Sequence, residues 1–525
     1  MSLYVAQGFY IRAAELYDPR RVRRRFREVS EGVELELRPG RRKLSAFRPR
    51  GRYDPGVRRR LQLSRTLHCC TIALALSLGA CGERDPVPTS EPGAAEPRLN
   101  VLMIVIDDLR PDLGAYGHSV ARTPHIDRLA ARSLRFDRAY CQFPSCNPSR
   151  TSFLTGLDPW QSGVLDNETY FRTLLPDAVT LPELFKNNGY TTAGVGKVFH
   201  GTGRRKEFVT PRAWSESHLP RGQRRENPED ARARYPFASG QSIGWLASSG
   251  TDEQQTDGRV ALQAVEILER LAGEPFFVGI GFLRPHTPLA APSTYFDLYP
   301  LESLRPLLAG IREERAPPSP GTSWTADFHE SAQLEIIRAY LACISFVDAQ
   351  VGKILDTLDR LDLWANTVVV LLSDHGAHLG EGRWWSKNAL SEVAARVPLL
   401  MHVPSRAIEG SSTDAIVGLT DLYPTLADLA GLVPPEDLAG TSLRPLLDDP
   451  QASWQRAALT AASHGEEIGF SVRTDRWRYS EWAGSTELYD LEADPDELDN
   501  LVDSPELRET VEELRAEIES ARGSG

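Results

Sequence analysis

Five runs of apolar residues punctuate the chain: NVLMIVID (100–107), YTTAGVG (190–196), PFFVGIGFL (275–283), TVVVLLS (367–373) and VPLLMHV (397–403). Each is nearly continuous rather than alternating, the pattern of strands covered on both faces. Between them the period lengthens to that of helices. Thr123-Pro124 opens TPHIDRLAARS, and Thr180 opens TLPELFKNN with Gly189 just beyond its end. Strand and helix alternate over roughly 300 residues, which predicts a doubly wound α/β sheet. From about residue 450 the texture changes to shorter runs, FSVRTDRWRYS and ELYDLEADP, followed by a terminal helix. We therefore expect a large domain over 99–450 and a small α+β subdomain over 451–525.

The residues that interrupt this pattern fall at strand ends, where ligands bind in open α/β sheets. The first run ends in Asp107-Asp108 and the fourth in Asp374-His375-Gly376. The second leads to Lys197 with His200 close behind, and the third to Arg284-Pro285-His286. Singly, a strand-terminal Asp is often a helix cap and a lone His a satisfied surface or core residue. Together they bring three carboxylates, three imidazoles and a lysine to one crevice. Three Asp carboxylates held close repel one another unless a cation joins them. Oxygen donors without a Cys/His cluster favour Ca²⁺, with Mg²⁺ or Mn²⁺ as alternatives, over Zn²⁺.

Composition adds compartment and excludes some partners. The 525 residues are 41% hydrophobic and 25% charged, as in soluble globular proteins. Residues 1–60 carry 17 Lys and Arg against 7 Asp and Glu, so a total charge of -12 leaves about -22 on the rest. An acidic body argues against generic nucleic-acid binding. The segment RRRLQLSRTLHCCTIALALSLGAC (58–81) has a basic start, an apolar run too short to span a bilayer and small residues before a cysteine, which reads as a signal peptide. Its end, Leu78-Gly79-Ala80-Cys81, resembles a bacterial lipobox. The chain is then expected to be exported to the bacterial cell envelope, in the periplasm or at the outer membrane, and held by a lipid anchor on Cys81; a plain secretory signal is the alternative. The Pro-rich polar stretch 82–98 suits a flexible tether, and the Arg-rich prefix 1–57 is longer than a signal n-region, as a start codon placed too far upstream would make it. Of six cysteines, Cys69, Cys70 and Cys81 belong to the leader and Cys141, Cys146 and Cys343 to the body, which is no disulfide framework.

CNPSRTSFLTG (146–156) resembles the sulfatase signature C-x-P-S-R-x-x-x-L-T-G at every defined position. The resemblance runs from Asn100 to Leu501 through IDDLRPDLGAYG, GKVFH, RPHTP, SDHGAHLGE and ELYDLEADPDELDNL. GKVFH, RPHTP and DHG are most similar to the iduronate-2-sulfatase branch of these formylglycine-dependent enzymes. The resemblance implies an alkaline-phosphatase-like α/β fold, a large mixed sheet sandwiched by helices with a smaller C-terminal α+β subdomain. It also implies hydrolysis of sulfate esters on a sulfated sugar or polysaccharide, a uronate 2-sulfate among them.

By the same resemblance, Cys146 is oxidised by a maturation enzyme to formylglycine (3-oxoalanine), whose hydrate carries the attacking hydroxyl. Asp107, Asp108, Asp374, His375 and the modified Cys146 then bind the cation. Arg150 holds the diol, Lys197, His286 and Lys387 grip sulfate and protonate the leaving oxygen, and His200 is the base that expels sulfate. Two positions depart from the common pattern: His375 stands where most sulfatases have Asn, and Leu379-Gly380-Glu381-Gly382-Arg383 lacks a family histidine. His378 reads as an exposed loop residue before it reads as a substitute for that histidine, and Cys141 and Cys343 read as core thiols. The segment 203–237, with nine basic residues and no periodicity, reads equally as a substrate loop or a solvated insertion. The rival functions are a phosphonate or phosphate monoester hydrolase of the same superfamily and an unmatured lipoprotein that only binds sulfated glycans.

Overall fold

The computed structural model describes residues 98–525, apart from 202–209, 223–232, 237–241, 309–327, 407, 483 and 524–525. The prefix 1–57, the leader 58–81 with Cys81, the tether up to residue 97 and much of the basic segment 203–237 lie outside the described residues.

All five apolar runs become strands of one eight-stranded sheet, to within a residue at their ends. Its order is Ser412–Gly418, Leu134–Tyr140, Arg396–His402, Thr367–Ser373, Asn100–Ile106, Phe276–Phe282, Thr191–Gly196 and Glu216–His218. Arg396–His402 runs antiparallel to both its neighbours, and the other pairings are parallel. The sheet is therefore mixed, as the family resemblance implied, and not the all-parallel sheet that alternation by itself suggests. Three strands carry no continuous apolar run. Leu134–Tyr140 is LRFDRAY, with a half-buried charge at alternate positions near its centre. Glu216–His218 falls in the segment read as structureless.

Side chains alternate across a strand, and both faces of the central strand are covered. Leu102, Ile104 and Ile106 pack with the helices Thr256–Leu271 and Glu330–Arg360; Val101, Met103 and Val105 pack with Leu181–Asn187, Leu422–Leu429 and Cys146–Thr155. Burial on both sides explains the unbroken apolar runs. Cys141 and Cys343 are buried free thiols, that of Cys343 pushed up to about 12 by burial. A four-stranded antiparallel sheet, Ala458–His464, Glu467–Arg473, Trp477–Trp482 and Ser485–Asp490, packs with the helix Arg508–Gly523 around Phe470, Tyr479, Leu488, Leu514 and Ile518. It belongs to the same compact unit, Glu91–Gly525, as the large sheet.

Candidate active site

The ends of neighbouring strands set the floor of the site. After Asn100–Ile106 the chain turns at Asp108, whose φ of 64° is in the left-handed region that Asp tolerates better than most residues. Tyr340 of the long helix Glu330–Arg360 props this turn, donating to Asp108 O at 2.8 Å and accepting from Arg110 N at 2.9 Å. Asp108 N in turn donates to Asp374 Oδ1 at 3.1 Å, which ties the ends of the two adjacent strands together. One strand further out, Lys197 N donates to Gly281 O at 2.9 Å. A Cβ on Gly281 would lie 2.0 Å from the Lys197 carbonyl carbon, so glycine is what allows this approach. His286 follows the turn whose N–H groups, on Leu283 and Arg284, donate to buried Asp257 at 2.8 and 2.9 Å.

Cys146 is the first residue of the helix Cys146–Thr155, ten residues that are all buried, closed by Gly156 at φ 73°. Its sulfur is buried with it, Cys146 being 1% exposed. Lys387 Nζ lies 3.0 Å from that sulfur and 2.6 Å from Asp108 Oδ1. His375 Nε2 lies 3.5 Å from it, and His200 and His286 also hydrogen-bond to it. Carboxylates of Asp107 and Asp108, the thiol and His375 Nε2 converge within 4.8 Å of one another. Asp374 borders this group, its Oδ2 3.6 Å from His375 Nε2.

Charge explains why the set is tolerated. Asp107 is fully buried, and although burial and the Cys146 sulfur push its carboxyl up, Lys197, His286 and Arg150 hold it far below the usual range. Burial raises Asp374 to about 7 despite Arg150 and His375 beside it. Burial opposes ionisation of the Cys146 thiol as well, but Lys197 and Lys387 bring it well below its ordinary value. His200 is lowered, chiefly by burial, and is neutral at pH 7. Burial would also depress His375, yet Asp374 lifts it to about 9. Its Nδ1 faces Gly376 O at 2.9 Å, an acceptor only, so Nδ1 carries a proton, and the Nε2 proton is the one a cation would have to displace to gain a lone pair from the ring. Two carboxylates, a soft sulfur position and an oriented imidazole, all buried, suit a cation.

Every residue the sequence nominated is therefore gathered at one place. Arg150 is placed differently from the role expected of it. It is 0% exposed, and its donors go to Asp374 (2.8 Å), Asp107 (3.2 Å), Val198 O (2.9 Å) and Lys197 O. Of five guanidinium hydrogens these bonds use four, leaving one on Nη2. His378 corrects the expectation of an exposed loop residue: it is 2% exposed, 2.7 Å from Ser391 Oγ and edge-on to Trp384. Sequence reasoning also passed over Ser149, whose Oγ donates to Asp374 O, and Arg110, paired with Glu381 at 2.6 Å. Ser149 could have been found, since the signature fixes a serine there; Arg110 and Glu381 lie within IDDLRPDLGAYG and SDHGAHLGE, but nothing in those motifs shows that the two pair.

Known proteins show the same pattern. A profile of the sulfatase family matches residues 99–432, and one described as N-sulphoglucosamine sulphohydrolase, C-terminal, matches 380–524. The chain belongs to the sulfatase family. A sulfatase of Formosa agariphila is 33% identical over 79% of this chain and 85% of its own length. Iduronate 2-sulfatase of Mus musculus is 30% identical over 83% of this chain and 94% of its own. Among solved structures, phosphonate monoester hydrolase of Agrobacterium radiobacter superposes with a TM-score of 0.67 at 22% identity, covering 81% of this sulfatase and 96% of that chain, which shows the shared fold. A structure with bound D-glucosamine-2-N,6-O-disulfate gives 0.65 at 22%, covering 82% and 98%. As a sulfatase the protein is a sulfuric ester hydrolase, and its buried Asp107, Asp108, Cys146 and His375 can hold the metal ion on which the family generally depends.

Proposed function

We propose that this sulfatase removes sulfate from a sulfated sugar or polysaccharide, with uronate 2-sulfates the first class to test, and that Cys146 acts as formylglycine. The observation that carries the reading is the setting of Cys146: a helix N-terminus, two lysines and three histidines surround one sulfur atom. A thiol kept only for packing has no use for that much positive charge. The sugar class is supported by relatives named for iduronate 2-sulfate and ulvan.

Each residue has a task the geometry permits. Asp107, Asp108, Asp374 and His375, with the oxidised residue 146, would hold a cation, Ca²⁺ before Mg²⁺ or Mn²⁺, which would polarise sulfate oxygens. Hydrated formylglycine supplies two hydroxyls on one carbon, one to take up sulfate and one whose deprotonation releases it. Neutral His200 beside position 146 is placed to accept that proton. Lys197 and Lys387, beside position 146, would grip sulfate oxygens, and half-buried His286, which also borders it, would protonate the departing sugar oxygen. Arg150, Lys197 and Lys387 are paired with the three aspartates, so a divalent cation would tip the site toward positive charge for an anionic ester.

The test is a desulfation screen of the matured enzyme over uronate 2-sulfates, hexosamine sulfates and algal galactan sulfates, with an aryl phosphonate beside an aryl sulfate. Preference for the phosphonate would replace the sulfate-ester reading. An unaltered thiol in an intact-mass measurement of the Cys146 peptide from active enzyme would remove the formylglycine. Location is part of the proposal: export, with a lipid anchor on Cys81 and 82–98 as tether. Wild-type protein should partition into detergent, and Cys81→Ser should move it to the aqueous phase at unchanged specific activity. Identical partitioning would dispose of the anchor.

A further inference from the structure

The late motif ELYDLEADPDELDNL has no part in the site chemistry, yet it delivers a buried acid. Glu497, 2% exposed and at φ 54°, accepts the backbone N–H of Glu392 at 3.1 and 3.0 Å and lies 2.8 Å from Arg478 Nε. Arg478, 1% exposed on the strand Trp477–Trp482, reaches further. Its Nη1 donates to Leu390 O at 3.2 Å, and its Nη2 pairs with the Glu392 carboxylate, which also accepts Tyr140 Oη at 2.9 Å. The small sheet thus grips the backbone just beyond Lys387. Asn388, the next residue, is fixed as well, donating from N to Pro144 O at 2.9 Å and from Nδ2 to Ser463 O at 2.5 Å.

This grip extends to two other parts of the site. The short helix Glu392–Ala395 accepts Gly376 N on Ala394 O and Cys141 N on Ala395 O, both at 2.9 Å. Lys387 itself follows a ribbon of two residue pairs, His378–Leu379 with Trp385–Ser386, too short to place a long side chain unaided. We propose that Glu497 and Arg478 are positioning residues for Lys387: they touch no reacting atom and fix the backbone that presents its ammonium to position 146. The proposal rests on the role given to Lys387 above.

Breaking a buried ion pair also destabilises a fold, so the test must separate the two effects. Glu497→Gln and Arg478→Lys are measured on a chromogenic aryl sulfate, alone and combined with Lys387→Ala, with thermal unfolding of each matured enzyme. Each single variant should lower kcat roughly tenfold with KM within about twofold. In the Lys387→Ala background the further loss should be under about twofold, because the element being positioned is gone. A crystal structure of Glu497→Gln should show Lys387 Nζ displaced from Asp108. Losses that multiply with that of Lys387→Ala, activity that falls only with the folded fraction, or an unmoved Lys387 would overturn the proposal. If Lys387→Ala activity is too low to measure, the crystal structure decides. A fully active Lys387→Ala enzyme would refute the role of Lys387 and this proposal together, whereas failure of the cycle alone leaves Lys387 its role.

Discussion

Arg150 shows what a single residue in the signature is for. Anchored in two carboxylates and the carbonyls after strand Thr191–Gly196, it is as much the keel of the site as a hand on substrate. Arg150→Lys should therefore cost stability as well as turnover, since an ammonium cannot reach four acceptors in a plane; a variant with unchanged Tm would contradict this. Cys146→Ala is the cleaner probe. It should leave folding intact and turnover below about a thousandth of wild type, the scale of losing a covalent nucleophile. Cys146→Ser, with one hydroxyl and no second, should stop as a sulfated serine visible by mass spectrometry. Asp107, Asp108, Lys197, Asp374 and His375 were legible because they follow the ends of apolar runs, whereas Cys146, Arg150 and Lys387 were legible only through the family resemblance. Their bonding was not. His378 was misread because GAHLGEGR looks like an exposed loop, and the Trp384 and Ser391 that bury it come from later in the chain.

Strands and loops carry the next tier of argument. Gly196 and Gly281 face each other where two strands deliver Lys197, and a Cβ on Gly196 would lie 2.2 Å from Gly281 O. Gly281→Ala should destabilise by at least ~1–3 kcal/mol and lower kcat by displacing Lys197; an active variant of native Tm would show that the strand ends can part. The loops after Asn100–Ile106 and Thr367–Ser373 are joined by Arg110 and Glu381. Burial raises the Glu381 carboxyl, but Arg110, His378 and the Leu379 N–H bring it from 4.5 down to about 2. A depressed carboxyl stabilises the fold above its unfolded value and loses that contribution as pH falls through its folded one. Stability should therefore drop between pH 4.5 and about 2, and Glu381→Gln should flatten the fall in Tm over that window. Continuous apolar strands announced themselves in sequence. LRFDRAY did not, because Arg135 and Asp137, half-buried on one face of the strand, pair with each other and break the run that burial would otherwise require.

For the whole molecule, the site joins chain segments more than 200 residues apart, from Asp107 to Lys387. A ligand that bridges them stabilises the folded state by mass action, about 2.7 kcal/mol at a hundredfold excess over its dissociation constant. Chelation should accordingly lower both activity and Tm, and the ion that restores both identifies the occupant; full activity after verified metal removal would refute the ligand set. The fold class was legible from strand texture, but the reversal of Arg396–His402 was not, because a buried strand has the same apolar run in either direction. Nor could the sequence reveal that the C-terminal sheet reaches the loop that carries Lys387, a fact of tertiary contact between Arg478 and Leu390.

One feature of the fold also dates an event. The helix Cys146–Thr155 is buried along its whole length, and Cys146 itself is 1% exposed. Under the maturation proposed above, a second enzyme could not thread such a helix into its own cleft once the sheets have closed over it, so conversion of the cysteine would have to happen on a chain still in transit. Maturation and folding would then be competitors in time, and a molecule that folded first would stay idle. Incubating purified, unconverted protein with a maturation enzyme should convert none of it in the native state and most of it after unfolding. The fraction of active sulfatase in any preparation would record which process was faster in the cell that made it.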